Sequence, residues 1–121
     1  MDTNGTTMEN EMTIESFTGE YSFLSNFYIC TPPLVWKCDD QTFHVSTTEH
    51  IYQAEKMLAS SDKIAILTTT TPGKAKRMGR QKDKIRPDWD DVKVTIMRKC
   101  LDLKFANPIL LQRLQATYPN E

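Results

Sequence analysis

The sequence predicts an α+β fold, with small N-terminal strands and a hairpin followed by a helical majority. Three observations carry this. Residues 33–45, PLVWKCDDQTFHV, place β-prone residues on both sides of the polar turn Cys38-Asp39-Asp40-Gln41, a hairpin pattern. Further on, Trp89, Val92, Ile96, Cys100 and Leu103 recur at spacings of 3, 4, 4 and 3, which is one buried stripe of a long helix. Finally, the strand signals end where the helix signals begin. That order points away from a doubly wound sheet, which needs strands and helices in alternation.

Taken in order, residues 1–12 (MDTNGTTMENEM) read as a disordered acidic tail. They lack the basic and apolar regions of a secretory signal. Residues 13–121 then form a single domain. MTIESF (12–17) alternates as a short strand, and TGEYSFLSNFY (18–28) is aromatic but irregular, a packed loop of the kind that carries function. After the hairpin, Ser46 or Thr47 caps a helix running to about residue 59, and a second helix covers 62–69. Thr71-Pro72 starts a third, which holds GKAKRMGR and ends near Gly79. Pro87-Asp88 starts the longest helix, 88–106, with Asp88 as its cap. Asn107-Pro108 stops it and caps a last helix holding Ile109, Leu110, Leu111 and Leu114.

Bulk properties narrow the function. With 39% apolar and 26% charged residues in 121, the core is modest, and no apolar run is long enough to span a bilayer. The expectation is a cytoplasmic protein with no membrane partner. Cys30, Cys38 and Cys100 are odd in number and lack metal-ligand spacing, and His44 and His50 have no third partner, so neither a metal nor a cofactor is expected. The glycines of TPGKAKRMGR fit neither a dinucleotide fingerprint nor a phosphate loop. The net charge of −1 is unevenly spread: residues 1–73 hold 3 basic and 10 acidic side chains, whereas residues 74–86 hold seven basic residues against Asp83 alone. Such a block suits an anionic partner such as a phosphate, and equally suits a solvated surface.

The chemistry centres on VSTTEHIYQAEKM, residues 45–57. Ser46-Thr47-Thr48-Glu49 fits a capping box, which is a complete structural account of Glu49. Yet Glu49, Gln53 and Lys56 fall at i, i+4 and i+7 with Tyr52 within reach, so a carboxylate, an amide, a phenol and an ammonium share one face that suits a polar ligand. Trp89 begins the buried stripe, so packing accounts for it equally. His50 reads as a hydrogen-bonded structural residue. Arg77 and Arg80 are three apart, with Lys74 and Lys76 near a helix N-terminus that suits an anion.

GEYSFLSNFY, TTEHIYQAEK, TPGKAKRMGR and RPDWDDVKVTIMRKCLDLKFANPILLQRL occur in that order. Together they resemble the NADAR/YbiA family across nearly all of residues 17–118. The resemblance implies a small α+β protein that hydrolyses the N-glycosidic bond of a ribosyl-phosphate N-glycoside. It implies ligands such as NAD, ADP-ribose and related ribosyl phosphates. One branch resembles enzymes that destroy reactive early intermediates of riboflavin synthesis, and another removes ADP-ribose from guanine bases, so nucleic acid enters only as an ADP-ribosylated substrate. No metal is implied. Residue by residue, Glu49 matches the catalytic carboxylate and Trp89 the active-site tryptophan. Asn26 and Phe27 match the pocket-forming SNF loop, and Arg77, Gly79, Arg80 and Arg86 match basic motifs expected to face phosphate. Tyr52, Gln53 and Lys56, placed by the helix-face spacing above, complete the expected binding face.

The family pattern continues beyond the Leu114-Gln115-Ala116-Thr117 stretch, into a strand, an acidic Trp-Gly motif and a closing helix. Nothing here matches that segment, and YPNE ends the chain. The expectation is a domain short of a strand and a helix, with apolar surface near Leu110, Leu111 and Leu114 and one site acid fewer. The alternative function is then a catalytically weak module that binds ADP-ribose or a nucleotide.

Overall fold

The structure, a computed structural model, describes residues 19–117. The strand expected over residues 12–17 and the tail lie outside these. Residues 18–28, expected as irregular loop, contain a 3₁₀ helix at Gly19–Leu24, and Phe23 is buried within it. The hairpin is as expected: β1 (Leu34–Cys38) pairs antiparallel with β2 (Gln41–Val45), Leu34 opposite Val45 and Cys38 opposite Gln41. Its two-residue loop places Asp39 and Asp40 at φ of 50° and 65°. A type I′ turn requires positive φ at both positions, and a short polar side chain tolerates it.

Among the described residues five helices follow: α1 (Thr48–Glu55), α2 (Ser60–Leu67), α3 (Pro72–Met78), α4 (Trp89–Lys104) and α5 (Pro108–Gln115). Thr47, Thr71 and Asn107 cap α1, α3 and α5 through side-chain oxygens that accept main-chain N–H groups of the first turn. Two boundaries differ from expectation for one reason. Met57 is drawn into an antiparallel bridge with Ile85: Leu58 N–H donates to Lys84 C=O at 3.0 Å and Arg86 N–H to Lys56 C=O at 2.9 Å. So α1 stops at Glu55 rather than near 59, and α2 starts at Ser60 rather than 62. This pairing also brings the start of α4 against the end of α1.

The core forms around α1, which packs against α2, α3 and α4. Ile51 and Ala54 are fully buried among Met57, Ile66, Leu67, Ala75, Ile96 and Cys100. A side chain the size of Ile51 contributes about 1.5–3 kcal/mol by leaving water. The stripe on α4 faces this core as its spacing requires. The apolar surface expected near the C-terminal end is only partly there, since Leu110 is buried while Leu111 is exposed. Among the described residues, no helix is long and apolar enough to cross a membrane.

Candidate active site

The first turn of α1 is sunk into the protein, and Thr48, Glu49 and His50 are all buried. Two sequence-distant contacts hold it there. The C=O of Asn26 accepts the Glu49 main-chain N–H at 3.0 Å, so the SNF loop satisfies a donor that the helix start leaves open. Asn26 Oδ1 also accepts the Thr48 hydroxyl at 3.1 Å, and its Nδ2 lies 3.8 Å from Met97 Sδ on α4. The loop therefore spans the gap between α1 and α4.

Glu49 does not act as the carboxylate of a capping box. With Thr47 as the cap, the third helical position belongs to His50, whose N–H donates to Thr47 Oγ1 at 3.2 Å. Glu49 stands one position earlier, and its carboxylate is turned to Gln53: Nε2 donates to Oε2 at 2.7 Å. Both side chains are only 6% exposed, which makes this a charge-assisted bond inside the protein. The cap reading and the site reading of Glu49 thus separate cleanly.

His50 is structural, as expected. Its Nε2 donates to Thr69 C=O at 2.9 Å, which fixes the tautomer and leaves Nδ1 to accept from the Thr47 hydroxyl at 2.7 Å. Burial pushes the imidazole below its ordinary pKa, against a smaller opposing pull from Thr69 and Glu49.

Two aromatic rings meet where α1 faces the start of α4. Tyr52 and Trp89 meet edge to face with centroids 5.0 Å apart, Trp89 buried and Tyr52 half-buried. Burial pushes the Tyr52 phenol up, Lys93 pulls it down and Glu49 adds a smaller upward push, so the phenol lies within the field of both charges. Tyr52 also lines an open groove of about 390 Å³ with Lys93, Val94, Met97, Arg98 and Leu101 along α4.

The structure brings together Asn26, Glu49, Tyr52, Gln53, Gly79 and Trp89. Gly79 is buried against the Gln53 side chain. Phe27 is 40% exposed and sits under Lys76, whose Nζ is 5.9 Å from the ring centroid. Other residues fall elsewhere. Lys56 follows the last residue of α1, and among the described residues its side chain makes no bond to Glu49 or Gln53. α3 ends at Met78, but Arg80 N–H donates to Arg77 C=O at 3.2 Å, so the two arginines stand one turn apart at its C-terminal end, both exposed. Arg86, expected to face phosphate, forks onto Asp88 instead, with Nε to Oδ1 at 2.6 Å and a terminal nitrogen to Oδ2 at 3.0 Å. Asp88 therefore makes no side-chain cap bond, and the guanidinium holds its carboxyl below the usual range.

One residue that the sequence reading missed lies at the base of the SNF loop. Lys104 is 1% exposed, donates from Nζ to Ser25 C=O at 2.8 Å, and lies between the rings of Tyr28 and Phe105 at 5.4 and 5.5 Å. Its position four after Cys100 extends the buried stripe by one turn, which was the available signal.

Comparison with known proteins places the chain in a family. The NADAR domain model matches residues 14–120. N-glycosidase YbiA of Escherichia coli (strain K12) is 35% identical over 102 residues, 82% of this chain and 59% of the relative. An N-glycosidase of Nostoc punctiforme is 39% identical over 69 residues, 54% of this chain and 44% of that protein. The NMR structure of E. coli YbiA superposes with a TM-score of 0.67 at 36% identity, covering 86% of this chain and 61% of that one. The chain thus spans about three fifths of the YbiA length. With the family model covering almost the whole chain, and the fold shared with YbiA, this chain belongs to the NADAR domain family.

Proposed function

We propose that the chain is a hydrolase of the N-glycosidic bond in a ribosyl-phosphate N-glycoside, either a riboflavin-intermediate-like compound or an ADP-ribosyl substrate. The observation that carries the reading is Glu49. It is a buried carboxylate with one oxygen held by Gln53, and its field reaches a half-buried tyrosine packed on Trp89. The names of the N-glycosidase relatives support the same reaction class.

In the proposed reaction the bond from the anomeric carbon to nitrogen breaks, and its electron pair leaves with the base. Positive charge develops on the ribosyl ring, and the Glu49 carboxylate stabilises it. Water adds to the anomeric carbon and gives one proton to Glu49 as base; Glu49 then passes that proton to the departed nitrogen and returns to its carboxylate, so charge balances. Tyr52 offers the ring edge on which the leaving base rests. Arg77 and Arg80, exposed and without an ion pair among the described residues, supply the phosphate contacts, in place of Arg86, which is committed to Asp88. The ligand is a small molecule, or an ADP-ribosylated base in nucleic acid, and no cofactor enters the reaction.

The test is incubation with ribosyl-phosphate N-glycosides and with ADP-ribosylated guanosine, following free base and free ribosyl phosphate together. Equimolar release of both is expected. ADP-ribose binding with no release from any of these substrates would refute the hydrolase and leave the narrower reading of a nucleotide-binding module.

A further inference from the structure

Gln53 carries an unexplained oxygen. A carboxylate only accepts hydrogen bonds, so the Gln53 amide must turn its Nε2 toward Glu49. That choice forces Oε1 to the other side, where it is buried and, among the described residues, without a hydrogen-bond partner. Native proteins seldom leave such an atom, and each case calls for a reason.

Gly79 lies against that side of the amide. A Cβ on Gly79 would overlap Gln53 Oε1 and lie 2.8 Å from Cδ and 3.3 Å from Cβ of Gln53. The backbone at Gly79 has φ −71° and ψ −4°, a conformation open to any residue, so glycine is required here for space and not for flexibility. The amide is clamped between the Glu49 carboxylate and the Gly79 backbone, and its orphaned oxygen results from that clamp.

We infer that Gly79 and Gln53 are positioning residues that set the Glu49 carboxylate, with α3 acting on α1 through the Gln53 amide. This rests on Glu49 being the working carboxylate, and it assigns Gln53 and Gly79 a role other than touching the substrate. The Gln53 bond occupies Oε2 and leaves Oε1 of Glu49 for the reacting centre. Because the colliding atoms, Oε1 and Cδ, form the end of a flexible side chain, a methyl at position 79 is absorbed by rotating that end away. The fold tolerates that rotation, but it withdraws the donor from Glu49.

The experiment uses Gly79→Ala, Gln53→Ala and the double variant of the full chain. Each single change is expected to lower kcat by about 10-fold or more with KM little changed, since a small misplacement of the reacting group is expensive. The double variant is expected to be no worse than the worse single, because both remove the same bond. Losses that multiply would overturn the inference, as would full activity of Gly79→Ala. A second readout needs no activity. The Gln53 side-chain NH₂ signals in a ¹⁵N-correlation spectrum are identified by their loss in Gln53→Ala. In wild type one proton is expected downfield, against the carboxylate; Glu49→Ala and Gly79→Ala should both return it toward the ordinary position. Unmoved signals in Gly79→Ala would refute the clamp even if Glu49 proves catalytic. Moved signals with Glu49→Gln still active would place the failure in the proposed reaction instead.

Discussion

Lys104 gives a quantitative test of how the SNF loop is held. Burial lowers its pKa from 10.5 to about 8, with Cys30 opposing slightly. Between those two values the unfolded chain binds a proton that the folded protein has already released, so stability rises with pH across the window from about 8 to 10.5. At roughly 1.36 kcal/mol per pH unit the ceiling is about 3 kcal/mol, and the part reached between pH 7 and 9.5 is about 2 kcal/mol. With a urea dependence of about 1–3 kcal/mol per molar, that moves the midpoint up by about 1 M. The assay is urea unfolding from pH 7 to 9.5 in wild type and Lys104→Met. Methionine removes one of the two donors to the Ser25 carbonyl, which still accepts the Tyr28 N–H at 3.1 Å, and shifts the whole curve, so the informative quantity is the difference in slope. The other groups that titrate in this range are common to both proteins, apart from Cys30, whose thiol Lys104 pulls down against the upward push of burial. The wild-type midpoint should climb relative to the variant; parallel lines would refute the buried, readily deprotonated lysine.

Thr47→Val removes both the acceptor for His50 N–H and the donor to His50 Nδ1. A loss of about 2 kcal/mol in unfolding free energy is expected, largely restored by Thr47→Ser, and a loss under about 0.5 kcal/mol would contradict the cap. Cys30, Cys38 and Cys100 are buried and burial pushes each thiol up, Cys100 to about 12. Since the thiolate is the reactive form, alkylation at pH 8 should be slow in native buffer and fast in denaturant, with Cys100 slowest; rapid native labelling would contradict their placement.

Much of the fold was legible because its signals are local. Two positive-φ aspartates, three side-chain caps and the stripe of α4 each depend on residues within a few positions of one another. The misses share the opposite property. Ser46 and Thr47 are equally good caps in sequence; Thr47 takes the role where Ser46 C=O is already bound by Cys30 N–H at 2.7 Å, and Asn26 takes the next donor. That choice moves Glu49 out of the capping box and toward Gln53. The early end of α1 depends on pairing with residues 84–86, nearly 30 positions away. The resemblance placed Glu49 and Trp89 in one site, but the Gly79–Gln53 approach required α3 to fold onto α1. Arg86 and Asp88 were each given a separate role, although two residues apart they satisfy one another.

The central claim is that the Glu49 carboxylate drives glycosidic cleavage. Its most direct test is Glu49→Gln, which keeps the shape and removes the charge. Base release and ADP-ribose-induced thermal stabilisation are measured on the same samples of wild type and variant. The account predicts that the variant melts cooperatively, retains the ligand shift and loses about 100-fold or more in kcat. A variant that releases base at the wild-type rate would contradict it.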